Sequence, residues 1–321
     1  MRDAYPPPAR ITTAGAGGKM NTYLLQFFNG ISVSSILLLA ALGLAITFGL
    51  MKIINMAHGE LIMIGAYVTY MVQNFFLSYV GKDLFGLYFA AAIPVAFIVT
   101  ALVGCLLEAT VIKRLYGRPL DSLLATWGVS LVLQQAARSI FGAPNVDVKS
   151  PGWLEGGLVV AKDLQLPYKR LFIILLVAVC ISGVYLFLYK TRRGRRIRAV
   201  MQNRNMAQSL GINTRRVDAV TFALGSGLAG IAGCALTLIG SIGPTLGTNY
   251  IVDTFMAVVL GGVGKIMGTF AGASAIGIGN TTFEFFTNAS LGKVLVFLTV
   301  IIFLQWKPQG FFTINSRALD E

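Results

Sequence analysis

The stretch Met20–Met51, MNTYLLQFFNGISVSSILLLAALGLAITFGLM, runs for 32 residues without a charged side chain. About 20 apolar residues are enough for a helix to cross the hydrocarbon of a bilayer, so this segment is longer than a span needs. It does not alternate with the period of two that a barrel strand shows. A helix is then the way to satisfy its backbone in lipid. Further uncharged runs follow at Leu61–Gly81, Leu84–Leu107, Leu171–Tyr189 and Ala219–Val252, the last carrying Pro244 as a breaker. Ser122–Ala137, Ile266–Phe283 and Val294–Trp306 are shorter and sit at or below spanning length. The expected fold is all-α, a polytopic transmembrane helical bundle with about eight apolar elements, some of them broken or re-entrant.

Composition agrees. Of 321 residues, 55% are hydrophobic and 12% charged, and the mean hydropathy is +0.73. A soluble domain has roughly a quarter of its residues charged, which excludes an ordinary soluble enzyme; disorder is excluded because low hydrophobicity is its signature. The net charge of +13 would point to nucleic acid in a soluble protein, but its placement excludes that partner. Nine basic residues and no acid lie between Lys190 and Arg216, and Lys113, Arg114 and Arg118 form a second patch. Basic residues concentrated in short loops beside apolar runs mark those loops as cytoplasmic. Residues 190–218 are therefore expected to be a basic cytoplasmic loop, and 142–170, with Pro144, Pro151, Trp153 and Pro167, an external one. Residues 1–19 are polar, contain Pro6–Pro8 and lack the apolar centre of a signal peptide. They are expected to be a disordered tail before a single transmembrane domain at 20–321, with Met20 as the expected native start.

Cys105, Cys180 and Cys234 all fall inside apolar runs, and His58 is the single histidine. That placement gives no disulfide framework, metal site or cofactor site, and no catalytic set is visible. Two glycine motifs fail as nucleotide sites. Gly225-Ser226-Gly227-Leu228-Ala229-Gly230 sits in an uncharged run without the following acid of a dinucleotide fold, and Gly264-Lys265 is followed by Ile266 instead of Ser or Thr. Gly225, Ala229 and Gly233, like Gly268 and Gly272, have the four-residue spacing of close helix packing.

Counting crossings raises a conflict. With both basic loops cytoplasmic, three spans before residue 113 put the N-terminus outside, and three after 216 put Lys307 outside, against the positive-inside rule. Something is expected to enter and return. The candidates are Gly49-Leu50-Met51-Lys52-Ile53 and Gly262-Val263-Gly264-Lys265-Ile266, a weak internal repeat of glycine-interrupted apolar sequence like those of transporters.

Polar groups within the apolar sequence are the candidate path for a solute. Asn55, His58 and Glu60 cluster where a helix should begin, with Asn55 as its cap and Glu60 in its first turn; ionisable residues in spans are costly and usually functional. Thr126, Trp127, Gln134 and Gln135 put hydrogen-bonding groups in a short apolar run, where interhelical bonding is the competing explanation. Glu108 and Glu284, near span ends, are expected to face water. Arg195–Gly211 carries Ile197, Val200 and Met201 on one helix face with Gly211 as a C-cap, either a solvated loop or a helix that docks a partner.

The string INMAHGELIMIGAY (Ile54–Tyr67) closely resembles the permeases of branched-chain amino acid and urea ABC importers. So do NGISVSSILLLAALGLAITFG (Asn29–Gly49), NRNMAQSLGINTRRVDAVTFALGSGLAGIAG (Asn203–Gly233) and AVVLGGVGKIMGTFAGA (Ala257–Ala273). Within that family, RPLDSLLATWGVSLVLQQAARSIFGAPNV (Arg118–Val146) and SPGWLEGG (Ser150–Gly157) look like the urea permeases. The resemblance implies a multi-pass inner-membrane subunit, not itself an enzyme, that carries urea or short amides. It would pair with a second homologous permease, two cytoplasmic ABC ATPases and a periplasmic urea-binding protein. The family's coupling segment maps onto Ala199–Asn213, so Asn203, Met206, Ala207 and Gly211 are the expected ATPase contacts; Asn203 stands where other importers often carry an acid. A branched-chain amino acid importer and a passive urea or water channel are the alternatives.

Overall fold

Every uncharged run becomes a helix in the computed structural model, which describes residues 16–51, 53–80, 85–116, 118–161 and 164–312. The helices are α1 (Ala16–Met51), α2 (His58–Phe75), α3 (Tyr88–Thr110), α4 (Pro119–Phe141), α5 (Tyr168–Lys190), α6 (Arg192–Gln202), α7 (Arg204–Ser209), α8 (Thr214–Leu236), α9 (Leu246–Gly261), α10 (Ile266–Phe286) and α11 (Ala289–Trp306). A two-stranded antiparallel hairpin, β1 (Gly157–Ala161) and β2 (Leu164–Pro167), lies in the long loop between α4 and α5. Six of the described helices are long and apolar enough to cross a membrane, and α9 is a shorter apolar one. The chain is a multi-pass helical bundle, as expected. The expected tail at 1–19 lies outside the described residues as far as residue 15, and from Ala16 onward it is already helix.

At the centre, α8 packs on α1, α2 and α3, and α1 packs on α10 and α5. Small residues make this possible. A methyl group added to Gly225 would lie 2.6 Å from the Gly43 carbonyl oxygen, and one on Gly247 would lie 2.5 Å from the Gly59 carbonyl carbon. Backbones that approach this closely gain dispersion and weak polar contacts that lipid tails cannot offer. The Gly-x-Gly-x-x-Gly string is thus a packing surface.

One end of the bundle collects the basic segments. Gly49, at the end of α1, lies against Gly264 in the α9–α10 turn and against Met201 of α6. The chain end returns there as well, because the Phe311 and Phe312 amides donate to the Leu260 and Gly261 carbonyls. Lys307 therefore shares the end that holds Lys190–Arg216. The expected conflict arose from counting the 219–252 run as one crossing; the break expected at Pro244 is there, and the run feeds two helices. α8 ends at Leu236 and α9 starts at Leu246 after Pro244, so four helices instead of three run from Thr214 to Trp306, and an even number returns Lys307 to the end that holds Arg216. α9 is about 24 Å long at ~1.5 Å per residue, short of the ~30 Å hydrocarbon, which is why its run did not read as a span. Of the two repeat strings, Lys52 lies outside the described residues, while the glycines of the two strings meet at Gly49 and Gly264.

The opposite end is closed by the long loop. The Lys149 amide donates to Gln73 Oε1 at 2.6 Å, the Tyr88 hydroxyl donates to the Lys149 carbonyl, and Val146 bridges Ile242.

Candidate functional site

Between α1 and α2, Ile53–Asn55 has no regular secondary structure, and Met56 and Ala57 form a turn. Backbone groups freed inside a bundle must find partners, and here side chains supply them. Asn55 Oδ1 accepts from the Ala57 amide at 3.1 Å, and Thr126 Oγ1 of α4 accepts from the Met56 amide at 3.1 Å while donating to Ser122 O at 2.7 Å. Asn55 thus closes the turn ahead of α2 and does not cap the helix, whose N-cap is Ala57 without a side-chain bond. His58 is buried in the first turn, its Nε2 donating to the Ala40 carbonyl of α1 at 3.0 Å.

Two residues later, Glu60 is 1% exposed and joins three helices. Its Oε1 accepts from Ser130 Oγ and from Gln134 Nε2 of α4, each at 2.9 Å, and Gln134 Nε2 lies 2.8 Å from Thr248 Oγ1 of α9. Glu60 Oε2 and Asn55 Nδ2 are buried without a hydrogen-bond partner among the described residues. A carboxyl oxygen open inside a bundle, ringed by hydroxyls and an amide, offers an acceptor to a solute carrying N–H donors. The polar face of α4 that builds this wall is Ser122, Thr126, Ser130 and Gln134, spaced four apart.

Asn55, His58, Glu60, Thr126 and Gln134 are thereby brought to one region. Trp127 and Gln135 are not, because both are exposed on other faces of α4. Thr248 was not foreseen, since nothing in its uncharged run sets it apart. The ion pair of Lys293 Nζ with Asp253 Oδ2 at 3.2 Å, which ties α11 to α9, was also missed. Separately, an apolar cleft among α9, α10 and α11, lined by Ile276, Phe283, Val296, Val300 and Phe303 with Thr299 as its polar side chain, suits lipid better than a polar solute. No group of three or more metal-ligating side chains occurs among the described residues.

At the basic end, the segment expected as one helix is two. α6 buries Gly194, Ile197 and Val200 and leaves its five arginines exposed. The chain then turns at Asn203, whose side chain accepts from the Met206 amide at 2.9 Å and so caps α7. Gly211 follows α7 at φ +78°, its amide bonded to Gln208 O, a left-handed position that suits glycine. Asn203, Met206 and Gly211 are exposed, and so is Leu210. Ala207 departs from the expectation: it is 3% exposed and packs inward. In this structure it anchors the segment from its inner side.

α7 is held from beneath. Arg204 makes two bonds to Asp218 of α8, Nη1 to Oδ1 at 3.1 Å and Nη2 to Oδ2 at 2.5 Å, and its guanidinium lies 4.9 Å over the Tyr116 ring. The Tyr116 hydroxyl donates to Glu108 Oε1 of α3 at 3.0 Å. Glu108, expected to face water, is buried because Tyr116 covers it. The bonds to Asp218 raise the Arg204 guanidinium above its ordinary value, and burial raises the Tyr116 hydroxyl. Glu284 is exposed, as expected.

Comparison with known proteins agrees with this architecture. Residues 26–304 match the family model described as the branched-chain amino acid transport system permease component. The chain is 30% identical to the high-affinity branched-chain amino acid transport system permease protein BraD of Pseudomonas aeruginosa, over 90% of this chain and 95% of that one. It is 31% identical to LivH of Escherichia coli K12, over 90% and 94% respectively. The ribose import permease protein RbsC of Escherichia coli K12 is more distant at 26%, over 86% and 83%. No solved structure matches. These relatives support the expected family, and they favour the branched-chain amino acid alternative over urea. The chain belongs to the family of branched-chain amino acid transport system permease components, as a multi-pass protein of the inner membrane.

Proposed function

We propose that the chain is a membrane-spanning subunit of an ATP-binding-cassette importer, moving a small solute without net charge while ATP is hydrolysed on partner chains. The observation that carries this reading is the α6–α7 corner. It presents Asn203, Met206, Leu210 and Gly211 outward at the basic end, and it is bonded inward to α8 through Arg204. A passive channel has no use for such a segment, whereas a transporter driven from the cytoplasm must be gripped there. The partners are a second homologous permease, two cytoplasmic ABC ATPases and a periplasmic solute-binding protein. Deleting 201–213 should release the ATPase in co-purification; an ATPase that stays bound would overturn the docking reading.

The relatives' names favour a branched-chain amino acid as the solute. Urea is the second reading, favoured by a specific observation: the wall around Glu60 is made of Ser130, Gln134 and Thr248, and among the described residues no cation is bonded to the carboxyl. Such a wall matches the N–H donors of a neutral amide; it would accept from the ammonium of a zwitterion too, but it offers no counter-charge to a zwitterion's carboxylate. Ser130 and Gln134 of this wall lie in the stretch whose sequence resembles urea permeases. Uptake of labelled leucine and labelled urea by the reconstituted full complex decides between them. Leucine uptake without urea uptake removes the second reading, and the reverse removes the first.

A further inference from the structure

Arg204 is the one basic residue between Lys190 and Arg216 that pairs with a carboxylate among the described residues. It immediately follows the Asn203 corner, two positions before the exposed Met206. Its partner Asp218 lies in the first turns of α8, the central helix, and its side chain is 0% exposed. Around this pair three other elements converge. The Tyr116 ring stacks beneath the guanidinium, the Tyr116 hydroxyl bonds Glu108 at the end of α3, and the same hydroxyl lies 3.7 Å from Met51 Sδ at the end of α1. Gln208 Nε2 also reaches Thr214 Oγ1, at 3.0 Å, where α8 begins.

α7 therefore has two faces. The outer one is free to meet another protein, and the inner one is fixed to the ends of α1, α3 and α8. A two-pronged guanidinium–carboxylate pair fixes orientation as well as distance. Fully burying the carboxylate makes separation from its cation costly. A push on α7 is then passed to α8 instead of being absorbed at a hinge. From this geometry we infer that Arg204 and Asp218 form the mechanical link through which the cytoplasmic segment moves the spans, with Tyr116 and Glu108 extending it to α3. The inference rests on the reading of α7 as the docking segment. Arg204 and Asp218 are positioning residues that touch neither solute nor nucleotide.

The test uses the assembled complex with its ATPases and solute-binding protein, reconstituted in vesicles, and measures solute taken up per ATP hydrolysed. Arg204→Gln is expected to keep the ATPase bound and hydrolysing, with uptake per ATP reduced about tenfold or more. Arg204→Lys, which keeps the charge and loses the fork and the stacking, should fall between it and the original. Tyr116→Phe, which keeps the ring and loses the Glu108 bond, should lower the ratio least. Exchanging the pair as Arg204→Asp with Asp218→Arg should restore part of the ratio. Unchanged uptake per ATP in an assembled Arg204→Gln complex would overturn the inference. So would loss of the ATPase from that complex, because the pair would then serve docking alone. Should Arg204→Gln fail to fold, the Arg204→Lys complex decides by the same ratio, and a value equal to the original contradicts the link. Failure of the docking reading is distinguishable: Met206→Glu and Leu210→Glu would then leave the ATPase bound.

Discussion

Two buried carboxyl groups, Glu60 and Asp218, are equally hidden and differently served. Asp218 is met by a guanidinium that uses two nitrogens, and no oxygen is left over. Glu60 is met by a hydroxyl and an amide on one oxygen, and its second oxygen has no partner among the described residues. A carboxyl with full compensation holds parts together, while one left partly open inside a membrane protein is costly and is retained for what it binds. On the proposed reading, the basic end is a joint and the Glu60 region a surface for a solute.

The contrast can be broken by substitution. Replacing Arg204 with Ala strands a buried carboxylate, so the purified chain should lose about 3 kcal/mol of stability, read as a fall in thermal unfolding temperature in detergent. Asp218→Asn is milder, about 1–2 kcal/mol, because Arg204 is partly exposed and can turn to water. Equal losses from the two would contradict the one-sided burial described here. Gln134→Leu cuts the tie between α4, α2 and α9 and should cost about 0.5–1.5 kcal/mol. Glu60→Gln is the sharpest contrast. It keeps an acceptor for Ser130 and Gln134, so stability should move by less than about 1 kcal/mol, while uptake falls about tenfold through loss of a charged acceptor. A large loss of stability with normal uptake would make Glu60 another joint.

Much of the fold was legible in the sequence because hydrocarbon imposes one simple demand, a run of apolar residues, and α1, α2, α3 and α5 meet it openly. α9 was hidden because a helix of 16 residues sheltered by protein need not meet that demand, and Asp253 divides it, so that its first half joins the run of α8. Asn55, Glu60 and Gln134 stood out as polar residues in apolar surroundings. Thr248 could not, since a hydroxyl in a span usually bonds its own helix. The four-residue spacing of Ser122, Thr126, Ser130 and Gln134 was visible and signals a buried polar face. Trp127 and Gln135 share their neighbourhood in sequence but not their face of the helix. Ala207 was placed outward by resemblance, whereas its small side chain fits the inner contact of α7.

The most direct measurement is solute uptake into vesicles holding the full complex, with and without ATP and with the 201–213 deletion. Uptake should need ATP and vanish with the deletion. Uptake at the same rate without ATP, or unaffected by the deletion, would contradict the importer reading and make the chain a passive channel.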